Sequence, residues 1–532
     1  MFHLPNSPLT IHRRCAKIVH IQQNTKTDRS VITLNRTPTR LLALILALFT
    51  ILPAAAALTS CGGGSGSETA DTTTAGETAS GEDTAAEPDI LDGLGFNGAS
   101  YRIQMSVTDI SSDEYMMGPE EETGDIALDA VYARNLYVQE KLDVNLEYTE
   151  SNYNWSDVYT QVSKLILAGD DAFELIVNDQ IGLATVAIEK MFVNVYDCPY
   201  FDFEEEGWWY SYMRDLTIGN DRMYLLVGDY FIDVLRKSHV LYYNRELFET
   251  FNGDPDALYR HVLDGEWTYE KLIGYIETAY ADLDGDGTKS LDDQYGFIVG
   301  GIGGSIFPFS YSADADFITR DADGIPEITM NNERADKLYT NIYNVFYNDA
   351  SLNKGYGENS MELANKFIGG TALFISGAGI GDFERFRAMT YDMGLVPYPK
   401  LDETQDEHIT VVHDTAEIGG IPITCKNLEL ASAVLQLLCR ESYRTVNPAY
   451  YETTLKIKYV RDDYSAQMID IVHDGLSGLF TLVYGAAHCN NIFTWAFLEP
   501  LQAGNPEWMS AYAKREEAAV TGLQTLVDAY MS

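Results

Sequence analysis

The sequence is short of positive charge. Its 532 residues hold 36 lysines and arginines against 80 aspartates and glutamates, a formal balance of −44. A surface of that sign repels phosphates, which argues against nucleic acid or an anionic membrane face as a partner; its plain role is solubility. Cysteine is scarce as well, with six residues and no CxxC pair or dense spacing, so neither a zinc ribbon nor a disulfide scaffold is expected. Cys198, Cys425, Cys439 and Cys489 read as small buried apolar residues. Past residue 60 there are only His239, His261, His408, His413, His473 and His488, none in an HExxH arrangement. His408 and His413 lie five apart in a strand-like or loop region and are not expected to converge. GxSxG elbows, P-loops and dinucleotide fingerprints are all missing. Catalysis is left without a positive signal, and the abundance of carboxylates leaves a glycosidase pair open.

Long apolar runs are missing too, with one exception near the start. Residues 36–61 read RTPTRLLALILALFTILPAAAALTSC: two arginines, an apolar run over 41–52, small residues, then cysteine. That is the order of a cleavable secretory signal, and the run is shorter than the roughly 20 residues a membrane span takes. Leu58-Thr59-Ser60-Cys61 resembles the lipobox of bacterial lipoproteins, in which the cysteine is lipidated and becomes the new N-terminus. Palmitate-type chains on Cys61 would anchor the protein to the outer face of the cell membrane. Residues 1–35 are polar and basic and precede any usual signal; Val31 is a candidate true start, which N-terminal sequencing of the precursor tests. The first 60 residues hold seven of the basic and one of the acidic residues, so the chain from Cys61 onward carries 29 against 79, a balance of −50.

Residues 61–97 form a glycine-, serine- and threonine-rich tether that lacks the apolar surface to order itself. Folding signals start at Tyr101. Ile103, Met105 and Val107 alternate as in a strand, and Leu128, Val131, Val138 and Leu142 share a helical face. Val144, Leu146 and Tyr148 alternate again, Val158, Val162, Leu165 and Ile166 return to helical spacing, and 173–177 is an apolar strand. Strand, helix, strand, helix, strand is the grammar of a mostly parallel sheet, in which ligands bind beyond the carboxyl ends of strands. Asn178, Asp179 and Gln180 fall at such a mouth, or else simply cap the following helix. Further on, Thr268 and Asn427 are natural N-caps of amphipathic helices. Asp321-Ala322-Asp323-Gly324 reads as a hairpin turn without a function of its own.

Several segments resemble one family, in its order. Ala168-Gly169-Asp170-Asp171-Ala172-Phe173-Glu174-Leu175 is similar to the "AGDAPDV" stretch of extracellular solute-binding proteins of ABC importers. The segment VLYYNRELF over 240–248 resembles their "LYYNKDLF", and EWTYEKL over 266–272 resembles "TWDEL" without the usual proline. FIGGTALF over 367–374 resembles "F-x-x-GKAAM" with Thr371 in place of lysine, and YDMGLVPYPK over 391–400 resembles "YGVVPYPK". The resemblance, to maltose-binding-protein-like sugar receptors, covers roughly residues 100–530. It implies an α/β chain with a two-lobe periplasmic-binding-protein-like fold (type II), an interlobe ligand cleft and several hinge crossovers. By analogy, 98–238 and 390–445 form the first lobe, and 239–389 and 446–532 the second. It also implies a monomeric, non-enzymatic receptor that hands a small solute, a sugar by preference, to an ABC permease.

The sharpest local motif is Asp282-Leu283-Asp284-Gly285-Asp286-Gly287-Thr288-Lys289-Ser290-Leu291-Asp292-Asp293. Calcium takes several oxygens at about 2.4 Å, and a glycine at the sixth position of such a loop permits the sharp turn. Asp282, Asp284, Asp286, Thr288 (through its carbonyl), Ser290 and Asp293 are therefore the candidate ligands of a structural calcium ion. Lys289 departs from the usual aliphatic residue, and Asp293 from the usual glutamate, as in dockerin-like loops. The alternative is an acidic surface turn.

A carbohydrate cleft mixes aromatic faces, which stack on sugar C–H groups, with carboxylates and amides for the hydroxyls. Trp208-Trp209-Tyr210 cannot all face one core, so at least one ring is expected at a surface or cleft. Asp229, Tyr230 and Tyr243 flank the presumed hinge. Trp495 lies where the family often places a ligand-stacking aromatic. The family tryptophan after "GKAAM" is absent, with Phe383 further on, which argues against a maltodextrin in particular. The expected ligand set is thus Asn178, Asp179, Trp209, Asp229, Tyr230, Tyr243, Phe383 and Trp495. The rival readings are a surface-anchored glycoside hydrolase and a display or adhesin protein reusing the fold.

Overall fold

The computed structural model describes residues 89–106, 113–152, 156–355, 360–386, 389–451 and 463–532. The signal, Cys61 and most of the tether lie outside these, as do Val107 and Trp155. Among the described residues no helix is long and apolar enough to cross a membrane.

Among the described residues eleven strands follow one another. They are β1 (Ala99–Ser106), β2 (Val144–Ser151), β3 (Leu175–Asp179), β4 (His239–Asn244), β5 (Tyr295–Val299), β6 (Ile318–Arg320), β7 (Pro326–Ile328), β8 (Ser351–Asn353), β9 (Ala372–Gly379), β10 (Met393–Val396) and β11 (Glu417–Gly420). They make two main sheets and one hairpin. The first sheet has the order β11-β3-β1-β2 and the second β10-β4-β9-β5-β8.

The first sheet follows the expected grammar. β1 pairs in parallel with β2 and with β3, Ile103 standing opposite both Tyr148 and Leu175. Between β1 and β2 runs the helix Ile126–Leu142, which buries Val131, Val138 and Leu142. Asp125 caps its start by accepting from the amides of Ala127 and Leu128, and Asp143, with a left-handed φ of 49°, ends it. Between β2 and β3 lies the helix Val158–Leu167. β11 then joins the far edge of β3 antiparallel, after the chain has visited the second sheet.

In the second sheet β5 pairs in parallel with β8 and β9, while β4 runs antiparallel to both β9 and β10. All six residues of β4 are buried, as befits a strand covered on both faces. Trp267 is fully buried under this sheet and donates from Nε1 to the Pro397 carbonyl at 2.8 Å. β10 lies within the stretch expected in the first lobe, yet it is a strand of the second sheet, so the return to the first sheet follows Val396. The C-terminal helices pack on both halves: Phe480–Ala487 against Gln180–Ile188, and Ile492–Gln502 against Ile302–Tyr311.

The two crossings between sheets are bound to each other. The amide of His239 donates to the Val411 carbonyl (2.9 Å), and that of His413 to the Lys237 carbonyl (3.0 Å). A second tie lies elsewhere. The β6–β7 hairpin reaches to residues 215–220, where Arg320 donates to the carbonyls of Asp215 (2.7 Å) and Thr217 (2.8 Å). The Gly219 amide donates to the Gly324 carbonyl (3.2 Å), and the Asn220 side chain to that of Ala322 (3.2 Å). The turn predicted to be without a role is thus one end of a strap. Gly324 has a φ of 77°, and a Cβ there would stand 2.7 Å from the Asn220 side chain, so a glycine is required.

Smaller expectations fared unevenly. Asn427 caps the helix Leu428–Glu441, accepting from the Leu430 amide at 3.0 Å. Thr268 sits at the N-cap of Tyr269–Thr278 without a side-chain cap bond, its backbone paired with Lys400 instead. The four cysteines Cys198, Cys425, Cys439 and Cys489 are buried and unpaired.

Candidate ligand cleft and calcium loop

β4 runs antiparallel to β9 with His239 opposite Gly379, so the crossing at 237–239 lies beside the carboxyl end of β9. On the other side, the Gln180 amide donates to the Ala416 carbonyl (3.0 Å) and its side chain to that of His413 (2.9 Å). The carboxyl end of β3 therefore meets the same segment, and strand ends from both sheets converge on residues 237–239 and 411–416. Asn178 and Asp179 stand at this mouth. Asp179 caps the helix Gln180–Ile188 through the Gly182 amide (2.8 Å), the capping role that the sequence left open.

The mouth is charged. Burial pushes the Asp179 carboxyl up to about 6, with Asp414 adding to the rise and Lys237 opposing it. The Lys237 amine sits 2.6 Å from Asp233 and donates to the Thr415 carbonyl at 2.9 Å. His413 is 2.8 Å from Asp414 and its ring centroid is 5.5 Å from that of His239. Burial and the neighbouring His413 push the His239 imidazole down to about 3, so it stays neutral. The sequence reading missed this group, because His413's partners are His239, far away in the chain, and the adjacent Asp414.

The second sheet offers something different at its carboxyl ends. Gly300 and Gly301 follow β5, and the Gly300 amide donates to the Ser376 hydroxyl at 3.2 Å. Ser305 and Ser376 share a hydrogen bond of 2.7 Å, and the Gly377 amide donates to the Tyr398 hydroxyl at 3.2 Å. This wall is backbone and hydroxyl.

Trp209 and Asp229, far apart in sequence, come together. Asp229 is 1% exposed, accepts from the Asn447 side chain and lies 3.9 Å from His473, whose ring meets Trp209 edge-on at 6.0 Å. Burial raises the Asp229 pKa, opposed by His473, Asn447 and Trp209. Burial alone would lower His473, but Asp229 and Asp474 outweigh it and hold its pKa above the usual value. Carboxylate, amide, imidazole and indole thus meet at one buried point. Asn447 and His473 carried no sequence signal, for each meets Asp229 from far along the chain.

Other expected residues lie elsewhere. Trp208 is buried against Phe201 and Phe203 and donates to Gln436 at 2.7 Å, so both neighbouring tryptophans are enclosed, on different partners. Tyr230 is fully buried beneath the Arg134 guanidinium, 5.0 Å from its ring centroid. Tyr243 is packed against Phe248, Tyr259 and Phe374 and donates to the Pro255 carbonyl. Both tyrosines are core residues, because their backbone segments are covered on every side. Trp495 is half-buried, with Arg515 5.9 Å from its ring centroid. The Phe383 side chain lies outside the described residues.

In the 282–293 loop, carboxylate oxygens of Asp282, Asp284 and Asp293 lie within 4.8 Å of one another. Gly287, at the sixth position, has a φ of 73°, and its amide donates to Asp282 at 2.9 Å. Asp286 accepts from the Thr288 amide (2.6 Å) and Asp293 from that of Ser290 (2.9 Å). The unusual Lys289 turns outward to Asp349 at 2.9 Å. Oxygens of this kind and spacing suit a hard divalent cation such as calcium.

The sequence matches no protein-family model and no curated protein sequence. Solved structures match the fold. A cyclo/maltodextrin-binding protein complexed with maltotetraose is 12% identical over 81% of this chain and 97% of its own, with a TM-score of 0.51. UspC of M. tuberculosis is 12% identical over 80% of this chain and 100% of its own, at 0.53. The galacto-N-biose-/lacto-N-biose I-binding protein of a Bifidobacterium longum ABC transporter, in complex with lacto-N-biose, is 10% identical over 81% and 98%, also at 0.53. The α/β, two-lobe type II binding-protein fold expected from the sequence is the fold of this chain.

Proposed function

We propose that this protein is the solute-binding receptor of an ABC importer, tethered outside the cell membrane through lipid on Cys61. It captures a small polar solute, an oligosaccharide by preference. The observation that carries this reading is the convergence of strand carboxyl ends from both sheets on residues 237–239 and 411–416. The solved structures of like fold support it: two have sugars bound, maltotetraose and lacto-N-biose, and one of these belongs to an ABC transporter. A ligand that touches both lobes favours the closed state in proportion to its preference for it, which suffices for signalling to a permease without catalysis. Asp179, Trp209 and Asp229 are the residues proposed to touch it. The test is a thermal-shift screen of the fragment from Ala86 onward against mono- and oligosaccharides, polyamines and peptides. One saccharide class should raise the melting temperature with no product on chromatography. Cleavage of the sugar would instead establish the hydrolase, and no shift with any compound would defeat the receptor reading.

We also propose that the 282–293 loop holds a structural calcium ion through Asp282, Asp284, Asp286, Thr288, Ser290 and Asp293. Calorimetry should show binding in the micromolar to millimolar range, abolished in Asp282→Asn; its absence in the unaltered protein would refute the site.

A further inference from the structure

Two segments of the first lobe, 191–202 and 421–436, lie side by side although the whole second sheet separates them in sequence. They touch on both sides of a pair of cysteines. On one side Phe192 bridges Pro422, the Val193 amide donates to the Ile421 carbonyl (2.8 Å), and the Ile423 amide donates to that of Met191 (3.0 Å). On the other side the Tyr200 amide donates to the Ser432 hydroxyl (3.3 Å) and the Asp202 amide to the Gln436 side chain (3.0 Å). Between these contacts each segment carries one cysteine, Cys198 and Cys425. Each closes a tight turn, the Cys198 amide donating to the Val195 carbonyl (3.1 Å) and the Cys425 amide to that of Pro422 (2.9 Å).

Both thiols are buried, and they act on one another. Burial pushes the Cys198 thiol up to about 12, with Cys425 adding to the rise, and the Cys425 thiol up to about 11. Thiolates are therefore scarce in the folded chain, so a bond between them is made while the two segments close on each other, and afterwards it is hidden from reductants. The other two cysteines are no rivals. A disulfide needs Cα atoms within about 7 Å. Cys439 lies eleven residues past Leu428, about 16 Å along the axis of the helix that Cys425 precedes, and its sulfur is turned to Gly228. Cys489 sits at the turn into the helix Ile492–Gln502.

We propose that Cys198 and Cys425, a reduced pair in this structure, are joined by a disulfide in the working protein. The bond rests on the proposed place of the chain outside the cell membrane, where disulfides form and persist. Each thiol gives up its proton and one S–S bond forms. The two electrons pass to the disulfide of an oxidised thiol–disulfide partner, which takes up two protons and becomes a dithiol. The bond ties together the two passes of the chain that build the first lobe, and the loop it closes contains the second sheet. The first lobe is thereby held by a covalent link as well as by packing.

The test refolds the full chain, reduced and unfolded, in a mixture of reduced and oxidised glutathione. The product is alkylated in denaturant, digested without reductant and mapped by mass spectrometry. Cys198 should be found linked to Cys425, with Cys439 and Cys489 alkylated. The oxidised protein should melt about 5 °C or more above the same protein after reduction. In Cys198→Ser, and separately in Cys425→Ser, the two melting temperatures should coincide. Alkylated Cys198, a link from either residue to any other cysteine, or glutathione on Cys198 in place of the link would each overturn the pair, as would equal melting of the oxidised and reduced forms. Refolding needs neither membrane nor solute, so these outcomes leave the receptor reading to the saccharide screen.

Discussion

The two walls of the strand-end cleft are made of different material. The first-sheet side and the crossings present side chains: Asp179, Lys237, His413 and Asp414, with Trp209 and Asp229 nearby. The second-sheet side presents Gly300, Gly301, Ser376 and Gly377, hence amides, hydroxyls and space. In the proposed receptor, a ligand would be recognised mainly by charge and rings from one lobe, while the other would come close to it with backbone. On that proposal closure would depend on the glycine wall remaining thin, and selectivity on the charged wall remaining assembled.

The largest effect should come from thickening the glycine wall where it has no room. A Cβ on Gly300 would stand 2.6 Å from the Ser376 carbonyl, a backbone atom that no rotamer change can move. Gly300→Ala should cost about 3 kcal/mol in chemical denaturation. Gly304, in the first turn of the following helix, has nothing within 4 Å of its Cβ position. Gly304→Ala should be neutral or stabilising by up to about 1 kcal/mol, from helix propensity alone. If both variants unfold alike, tightness at Gly300 is not what shapes that wall.

On the charged wall, Asp229→Ala strands Asn447 in a buried place and should cost about 2–3 kcal/mol as well as ligand affinity. Asp179 should behave in the opposite sense. Its folded pKa of about 6 lies above the 3.8 of an unperturbed aspartate, so its charged form is a burden at neutral pH that lifts as pH falls from 6 toward 4. Asp179→Asn, which can still cap its helix, should stabilise the protein at pH 7 by up to about 3 kcal/mol and by almost nothing at pH 4. Denaturation at the two pH values decides it; equal effects would mean the carboxyl is not desolvated.

The smallest effect concerns His473. Its pKa is raised, so its attraction to Asp229 is present below the ordinary histidine value and is lost as pH rises through the raised one. The His473→Gln variant should lose about 1 kcal/mol of stability at pH 6 and little at pH 9.

Much of this layout was legible in the chain, and the limits of that legibility are physical. The β1 to β3 portion was readable because alternation and helical spacing are local, and each helix buries the face its spacing marks. The place of Asp179 at the end of β3 was readable because an apolar run leads up to it. Tyr243 was misplaced because β4 is covered on both faces, so every residue on it is core whatever its type. The tryptophan pair misled for a related reason. Gly207, with a φ of 105°, turns the chain just before Trp208, and the close approach of Gly228 lets the Trp208 ring be enclosed. His413 and His239 meet only because two crossings run side by side, and nothing within a few residues of either one announces the other.

The β6–β7 strap has a mechanical consequence. A rigid body joined to another at one point can swivel in any direction; joined at two separated points, it keeps a single rotation about the line through them. The crossings at 237–239 and 411–413 are one such point, and the Arg320 and Gly324 contacts are the other. Between them they leave the two halves fewer relative rotations than either alone would, and the C-terminal helices that pack on both halves add a further restraint.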